Sequence, residues 1–330
     1  MLQTKDIAVV ILNWNGKVLL EQFLPSIVNY SDDAIIYVAD NASTDDSVAF
    51  VSERFPTVQI IQNTENGGYA KGYNDALKKV EEPLLCLVNS DIEVTENWLQ
   101  PIVDEFNVDS NTAIIQPKLL DFKNKSYFEY AGAAGGFIDK YGYPFCRGRI
   151  FDSIEEDKGQ YNATSDIFWA SGACFFIRNS VFKSLNGFDE YYFAHMEEID
   201  LCWRAFNSNY KTKYVGASAV YHVGGATLKN NNPKKTYLNF RNSLITLVKN
   251  TDKNVIFRTL IRMLLDGVAA IRFLLQLKLQ HFFAILKAHG SFYMNLNRVL
   301  KQRKELTKRE NYYSTTSIVW SYFIKKRTKF

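Results

Sequence analysis

Apolar and polar positions alternate in blocks over the first hundred residues. The run IAVVIL (7–12) is short, apolar throughout and rich in β-branched residues, the pattern of a strand buried on both faces. KVLLEQFLPSIVNY (17–30) has helical spacing. AIIYVAD (34–40) predicts a second strand, and STDDSVAFVSERF (43–55) a helix with Ser43 or Thr44 as its N-cap and carboxylates in its first turn. VQIIQN (58–63), GYAKGYNDALKKV (68–80) and PLLCLVN (83–89) continue as strand, helix, strand. Strand–helix alternation at this pitch predicts an α/β fold with a parallel, doubly wound sheet. Such sheets bind ligands at the carboxyl ends of their strands. The polar clusters fall at those ends: Asn13 and Asn15, Asp40 and Asn41, Asn66 to Gly68, and Asn89 to Asp91.

Regularity is lost after Pro101. YAGAAGGFIDKYGYPF (130–145) predicts a hairpin and loop, and DIFWASGACFFIRNSVF (166–182) mixes strand and turn. MEEIDLCWRAFNSN (196–209) places Ile199, Cys202, Trp203 and Phe206 on one helical face, and KTKYVGASAVYHVGG (211–225) predicts a strand and loop. From about Pro233 the pattern is helical and basic.

Charge sharpens that last boundary. The chain of 330 residues carries a net charge of +4, yet residues 234–330 hold 20 Lys/Arg against 4 Asp/Glu, a net of +16, and residues 1–233 a net of −12. A basic segment on an acidic body points to an anionic partner, either nucleic acid or an anionic membrane face. No nucleic-acid-binding motif accompanies the charge, so nucleic acid is not an expected partner. Within 255–287, Leu, Ile and Phe are interrupted by Arg and Lys. Two readings stand: a packed helical subdomain, or an amphipathic helix lying on lipid. No uncharged apolar run reaches the length of a membrane span, and the N-terminal apolar run is too short for a signal peptide. The cysteines at 86, 146, 174 and 202 form no C-x-x-C pair and read as buried free thiols of a reducing compartment.

The chemistry-bearing residues are few. Asn89 and Asp91 lie two apart, so on an extended chain they point to one side, where oxygen ligands suit Mg²⁺ or Mn²⁺ bridging to phosphates. A plain Asn-Ser-Asp turn is the competing reading. His222 closes an apolar strand before two glycines; as a metal ligand it favours Mn²⁺, otherwise it is structural. Glu197 and Glu198 fall in the first turn of a helix, where carboxylates suit the dipole and where one of them can also act as general base. Asp40 ends the second strand and either caps a turn or accepts the imide N–H of a pyrimidine base. Phosphate-loop signatures of the G-x-x-x-x-G-K-[ST] and G-x-G-x-x-G types are missing.

VVILNWNG, VADNASTDDS, NGGYAKGYNDAL, LVNSDIEV, WASGACFFIRNSVFKSLNGFDE, FAHMEEIDLCWR and VYHVGG occur in that order. The set resembles the family 2 glycosyltransferases of GT-A fold, in particular the rhamnosyltransferase-like branch of bacterial polysaccharide assembly, over about residues 5–250. The resemblance implies a Rossmann-like, mostly parallel sheet flanked by helices over residues 1–232, with a nucleotide-sugar half (1–100) and an acceptor half (101–232), and a basic helical extension over 233–330. It implies non-processive, inverting, metal-dependent transfer of a sugar from a nucleoside diphosphate, dTDP-rhamnose or a UDP-sugar, to a glycan or lipid-linked glycan. Asp91 and His222 match the metal positions, with Mn²⁺ or Mg²⁺ as the cofactor. Glu197-Glu198 matches the catalytic pair, Glu198 being the base. Asn13, Asn15, Asp40, Asn66, Gly67, Lys71, Asn74 and Asn89 match the donor-binding segments. Two departures stand out: the first Asp of the D-x-D segment is Asn89, and the base position holds Glu rather than Asp. The expected location is cytoplasmic, peripheral at the inner face of the cell membrane. Two other functions stay open. A nucleotidyltransferase needs a basic phosphate loop after the first strand, where only Lys17 is found. A catalytically silent sugar-nucleotide or glycan-binding protein is favoured by Asn89 and disfavoured by Glu198 and His222.

Overall fold

The protein is described by a computed structural model over residues 1–224 and 232–330. Its first half alternates as the sequence pattern predicts: β1 (Ile7–Asn13), α1 (Lys17–Tyr30), β2 (Ile35–Asp40), α2 (Ser47–Arg54), β3 (Gln59–Gln62), α3 (Gly68–Leu77) and β4 (Leu84–Asn89). Then come β5 (Ile92–Val94), α4 (Gln100–Val108), β6 (Thr112–Asp121) and a small antiparallel sheet of β7 (Gly136–Ile138), β8 (Pro144–Cys146), β9 (Arg149–Ile150) and β10 (Ser153–Ile154). The chain returns through β11 (Ser165–Ile167), β12 (Cys174–Arg178), α5 (Asn179–Ser184), α6 (Glu197–Asn207) and β13 (Lys211–His222). Helices α7 (Pro233–Asn250), α8 (Val255–Leu275), α9 (Leu279–Met294) and α10 (Leu296–Glu305) follow, and a last helical turn spans Trp320–Ile324.

The main sheet runs β11-β13-β6-β12-β4-β1-β2-β3, with β5 added to β13. Strands β3, β2, β1 and β4 are parallel, as the alternation requires. Beyond them β12 inserts antiparallel between β4 and β6, because it arrives from a long excursion rather than a helical crossover. Successive residues of a strand point to opposite faces. In β1, Ala8 and Val10 therefore enter one apolar cluster, while Ile7, Val9 and Ile11 enter the other. β4 splits in the same way, Leu85 and Leu87 against Leu84, Cys86 and Val88. An apolar run without alternation is what a strand covered on both faces needs.

Two local expectations are corrected. Helix α2 starts at Ser47 with Asp46 at its N-cap, rather than Ser43 or Thr44, because residues 43–45 are held in a loop by Asn15 and Asp40. The 255–287 segment is two helices, broken at Leu277, which takes a left-handed φ of 58°. All four cysteines are buried and free.

The C-terminal part shares the core of the body. Leu244, Ile245, Leu247 and Val248 of α7 belong to the cluster that holds Trp203 and Phe168. A buried charge network ties the parts together. Asp200 accepts from Arg204 Nε at 2.8 Å, Lys249 Nζ at 2.9 Å and Asn250 Nδ2 at 2.8 Å. Burial opposes ionisation of Asp200, but Lys249 and Arg204 prevail and hold its pKa below the ordinary value. Asp200→Asn leaves both cations short of a counter-charge and is expected to cost about 3–5 kcal/mol in chemical denaturation. The sign follows from the lowered pKa. The advantage of the wild type over Asp200→Asn is full above the unfolded carboxylate value of about 3.9 and fades as pH falls below it.

Candidate active site

The polar clusters meet along one edge of the sheet. Asn13 and Asp40 are paired in register at the ends of β1 and β2. Asp40 Oδ1 accepts from Asn13 Nδ2 at 3.0 Å and Oδ2 from the Ser43 amide at 2.9 Å. Asn13 Oδ1 is buried without a partner, an open acceptor at this end of the sheet. Asn15 Oδ1 takes the Thr44 amide at 2.7 Å and so shapes the loop beyond it. Asn66 Oδ1 takes the Gly68 amide and the Asn41 side chain, each at 3.0 Å, just ahead of α3, whose N-cap is Gly67.

Asp91 and His222 are brought together by strand pairing. β13 runs antiparallel to β5 with His222 opposite Ile92, the residue after Asp91. His222 Nε2 lies 3.2 Å from Asp91 Oδ1, and both side chains are buried. On the other side of the ring, Nδ1 is 3.3 Å from Glu129 Oε1, close enough for an ion pair but not aligned as a hydrogen bond. Burial alone lowers the pKa of an imidazole; here the two carboxylates prevail and raise it to about 10. Sequence reasoning missed Glu129. It precedes the glycine-rich stretch at 130–136, and only the fold, which pairs its amide with Leu119 O at 3.0 Å, carries it to His222. Among the described residues no group of three or more His, Cys, Asp or Glu is arranged to hold a metal ion. The two-ligand pair of Asp91 and His222 nevertheless suits one. It is a buried oxygen–nitrogen set, with the Glu129 carboxylate 3.3 Å from the ring nitrogen on the other side.

Glu197 and Glu198 open α6 after a strained turn. Phe193, His195 and Met196 all have left-handed φ, at 64°, 69° and 74°. Such residues persist only where the surroundings over-determine them. Asn242 of α7 does so here, its Nδ2 lying 3.0 Å from Ala194 O and 2.7 Å from His195 O. The turn also docks on the first half of the chain, where Tyr69 N donates to Phe193 O at 2.9 Å. Tyr69 Oη donates to Gly172 O at 2.8 Å. One Oε2 on each of Glu197 and Glu198 is buried without a partner. Burial, and for Glu197 the neighbouring Glu198 as well, pushes both carboxyls above the ordinary value, Glu198 to about 7. The Glu198 side chain lies beside Gly172, and Ala173 O, one residue on, accepts from the Asn89 amide at 2.9 Å. The carboxylate pair and the Asn89–Asp91 segment thus flank one short piece of chain.

Two expected donor-binding side chains are set apart. Asn74 spends both ends of its amide on Phe188, donating to its carbonyl and accepting from its amide, each at 2.9 Å. Lys71 is paired with Asp75 and, at 3.5 Å, with Glu65.

The fold, a mixed sheet flanked by helices, is that of the GT-A glycosyltransferases. The mannosyltransferase PcManGT from Pyrobaculum calidifontis, solved with GDP-Man and Mn²⁺, shares the fold with a TM-score of 0.54 over 87% of each chain, at 13% identity. The sequence profile described as "Glycosyl transferase family 2" matches residues 8–185, and the chain belongs to that family. N-acetylglucosaminyl-diphospho-decaprenol L-rhamnosyltransferase of Mycobacterium tuberculosis is 23% identical over 66% of this chain and 76% of its own length. The low-salt glycan biosynthesis hexosyltransferase Agl10 of Haloferax volcanii is 22% identical over 84% of this chain and 87% of its own. The chain is a glycosyltransferase with a sugar-nucleotide donor.

Gly68 tests how closely the halves meet. Its φ is +73°, and a Cβ there would come within 2.7 Å of Phe193 O. Gly68→Ala is expected to lower stability by about 1–3 kcal/mol and to reduce turnover with it, measured by thermal unfolding and donor consumption.

Proposed function

We propose that the protein is a non-processive, inverting transferase that moves a sugar from a dTDP- or UDP-sugar to a lipid-linked glycan at the inner face of a membrane, for polysaccharide assembly. The observation that carries this reading is a buried, unpartnered carboxylate oxygen on each of Glu197 and Glu198 at the head of α6, with the Glu198 side chain beside Gly172 and the next carbonyl, Ala173 O, taking the Asn89 amide. Glu198 is the base. Its raised pKa makes it a stronger proton acceptor than an exposed glutamate, and it takes the proton of the acceptor hydroxyl as that oxygen attacks the anomeric carbon. Attack from the face opposite the diphosphate inverts the anomeric configuration in one displacement. Burial and the neighbouring Glu198 both disfavour a charge on Glu197, so the pair disfavours a second negative charge beside the nucleophile. The nucleotide lies along Asn13, Asn15, Asp40, Asn66 and Gly67. Asp91 and His222 hold the divalent ion, with Glu129 fixing the ring. When bound, that ion supplies neutralisation of the charge on the departing diphosphate.

The relative that acts on a decaprenyl diphosphate, as its name states, supports a lipid-linked acceptor and a rhamnosyl donor. A nucleotidyltransferase is disfavoured because Lys17, the lone cation after β1, is drawn to Asp46 at 3.5 Å.

Glu198→Gln is expected to lower transfer by about 10²–10⁴-fold while donor binding stays within a few-fold. Retained transfer rules out this base. In the wild type, kcat/KM is expected to rise with pH through a value near 7, because Glu198 acts deprotonated. A flat profile between pH 5 and 9 contradicts that role.

Asp91→Asn is expected to weaken Mn²⁺ binding about 10–100-fold or more, read by titration calorimetry with the nucleoside diphosphate present. Unchanged Mn²⁺ affinity removes Asp91 from the metal site.

A further inference from the structure

Helix α8 is inside out. Its buried face carries Arg258, Arg262 and Asp266, and its outer stripe carries Ile256, Leu260, Leu264, Val268, Ile271 and Leu275, which are 54 to 79% exposed. Residues spaced by three and four form one line along a helix, here about 28 Å long. The charged face is not left wanting. Arg258 reaches Asp252 at 2.6 Å and Tyr312 Oη at 3.0 Å. Arg262 Nε reaches Asp266 at 2.8 Å and Nη1 reaches Gly142 O at 3.0 Å, while Tyr143 Oη donates to Asp266 at 2.8 Å. Rolling the helix to bury its leucines would break this buried network, so the apolar stripe is committed to the outside.

The stripe does not stop at α8. Leu277 at the helix break and Leu279, Phe283 and Leu286 of α9 are exposed as well. At the far end, Arg272 stands 5.6 Å over the Phe323 ring, which brings up exposed Trp320 and Ile324. Lys278 and Lys287 lie among these residues, and Lys325, Lys326 and Arg327 follow them, all exposed. Residues 255–330 carry 15 Lys/Arg against 3 Asp/Glu.

We infer that the outer face of α8, α9 and the Trp320–Ile324 turn docks flat on an anionic lipid surface. Apolar side chains enter the acyl boundary, and lysine and arginine meet the headgroup phosphates from the rim. The basic rim decides the occupant, since a second copy would bring the same positive charge to the same contact. No helix among the described residues is long and apolar enough to cross a membrane, which agrees with lying in the interface. The inference gives the lipid-linked acceptor reading a surface, and it stands or falls by a separate measurement.

The test is co-sedimentation of the full chain with phosphatidylglycerol-rich vesicles and with phosphatidylcholine vesicles, without substrate. Wild type is expected to bind the anionic vesicles, less so as salt rises. Replacing Leu260, Leu264 and Ile271 together by Ser should weaken binding about tenfold or more, with circular dichroism unchanged. Replacing Lys325, Lys326 and Arg327 together by Glu should weaken it about tenfold on anionic vesicles only. Wild type that ignores both vesicles, or serine variants that bind equally, overturn the inference. So does a concentration-dependent dimer in light scattering that the serine variant abolishes while vesicle binding is absent. Transfer to a short, water-soluble acceptor is measured alongside. Vesicle binding without such transfer counts against the enzymatic reading and leaves the docking surface intact.

Discussion

An imidazole buried between two carboxylates is the constraint on which the site is built. Asp91 approaches His222 from one side and Glu129 from the other, at 3.2 and 3.3 Å. The three come from the residue before β5, a loop before a glycine-rich hairpin, and the end of β13. Holding them together requires β13 to pair with β5 and β6 at once. It also requires the 129–131 turn to close, which it does when Glu129 accepts from the Ala131 amide. A preference for positive charge at that spot is thus written into the sheet topology, since the two carboxylates raise the His222 pKa against the effect of burial.

Most of the sheet was legible because burial on both faces leaves an unmistakable pattern. IAVVIL and PLLCLV could be little else once helices with caps and periodicity stood between them. The places where the polar residues fall were legible for the same reason, since they mark where each strand runs out. Glu129 was not. Nothing local distinguishes it from the other surface-like glutamates, and its role arises from a contact made across the sheet. Asn74 shows the converse. It sits in a motif-like stretch, yet its amide is committed to the Phe188 turn. Sequence can show that a polar residue lies near a strand end, but not which neighbour has already claimed its hydrogen bonds.

The carboxyl-terminal helices show a sharper limit. Periodicity reports that α8 has an apolar stripe and a charged stripe, and the default assigns the apolar one to the core. The default fails here because the charged stripe finds better partners inside: Asp252, Tyr312, Tyr143 and Gly142 O. The extension is also not an appendage to the chemistry. Asn242 of α7 holds the left-handed turn that presents Glu197 and Glu198. Removing the extension would therefore remove the support of the proposed base along with any docking surface, and loss of activity on truncation would say nothing about membranes.

The asparagine at position 89 looks at first like a weakened metal site. The surrounding charges argue otherwise. Asp91 and Glu129 already place two carboxylates about one buried imidazole, and Glu198 lies beside Gly172, one residue from the carbonyl that takes the Asn89 amide. A further aspartate at the end of β4 would add a like charge to a region where ionised carboxylates already carry a desolvation cost, as the raised pKa values of Glu197 and Glu198 show. An amide at position 89 avoids that added charge, and Glu129, 3.3 Å from the His222 ring, stands as the second carboxylate at that imidazole.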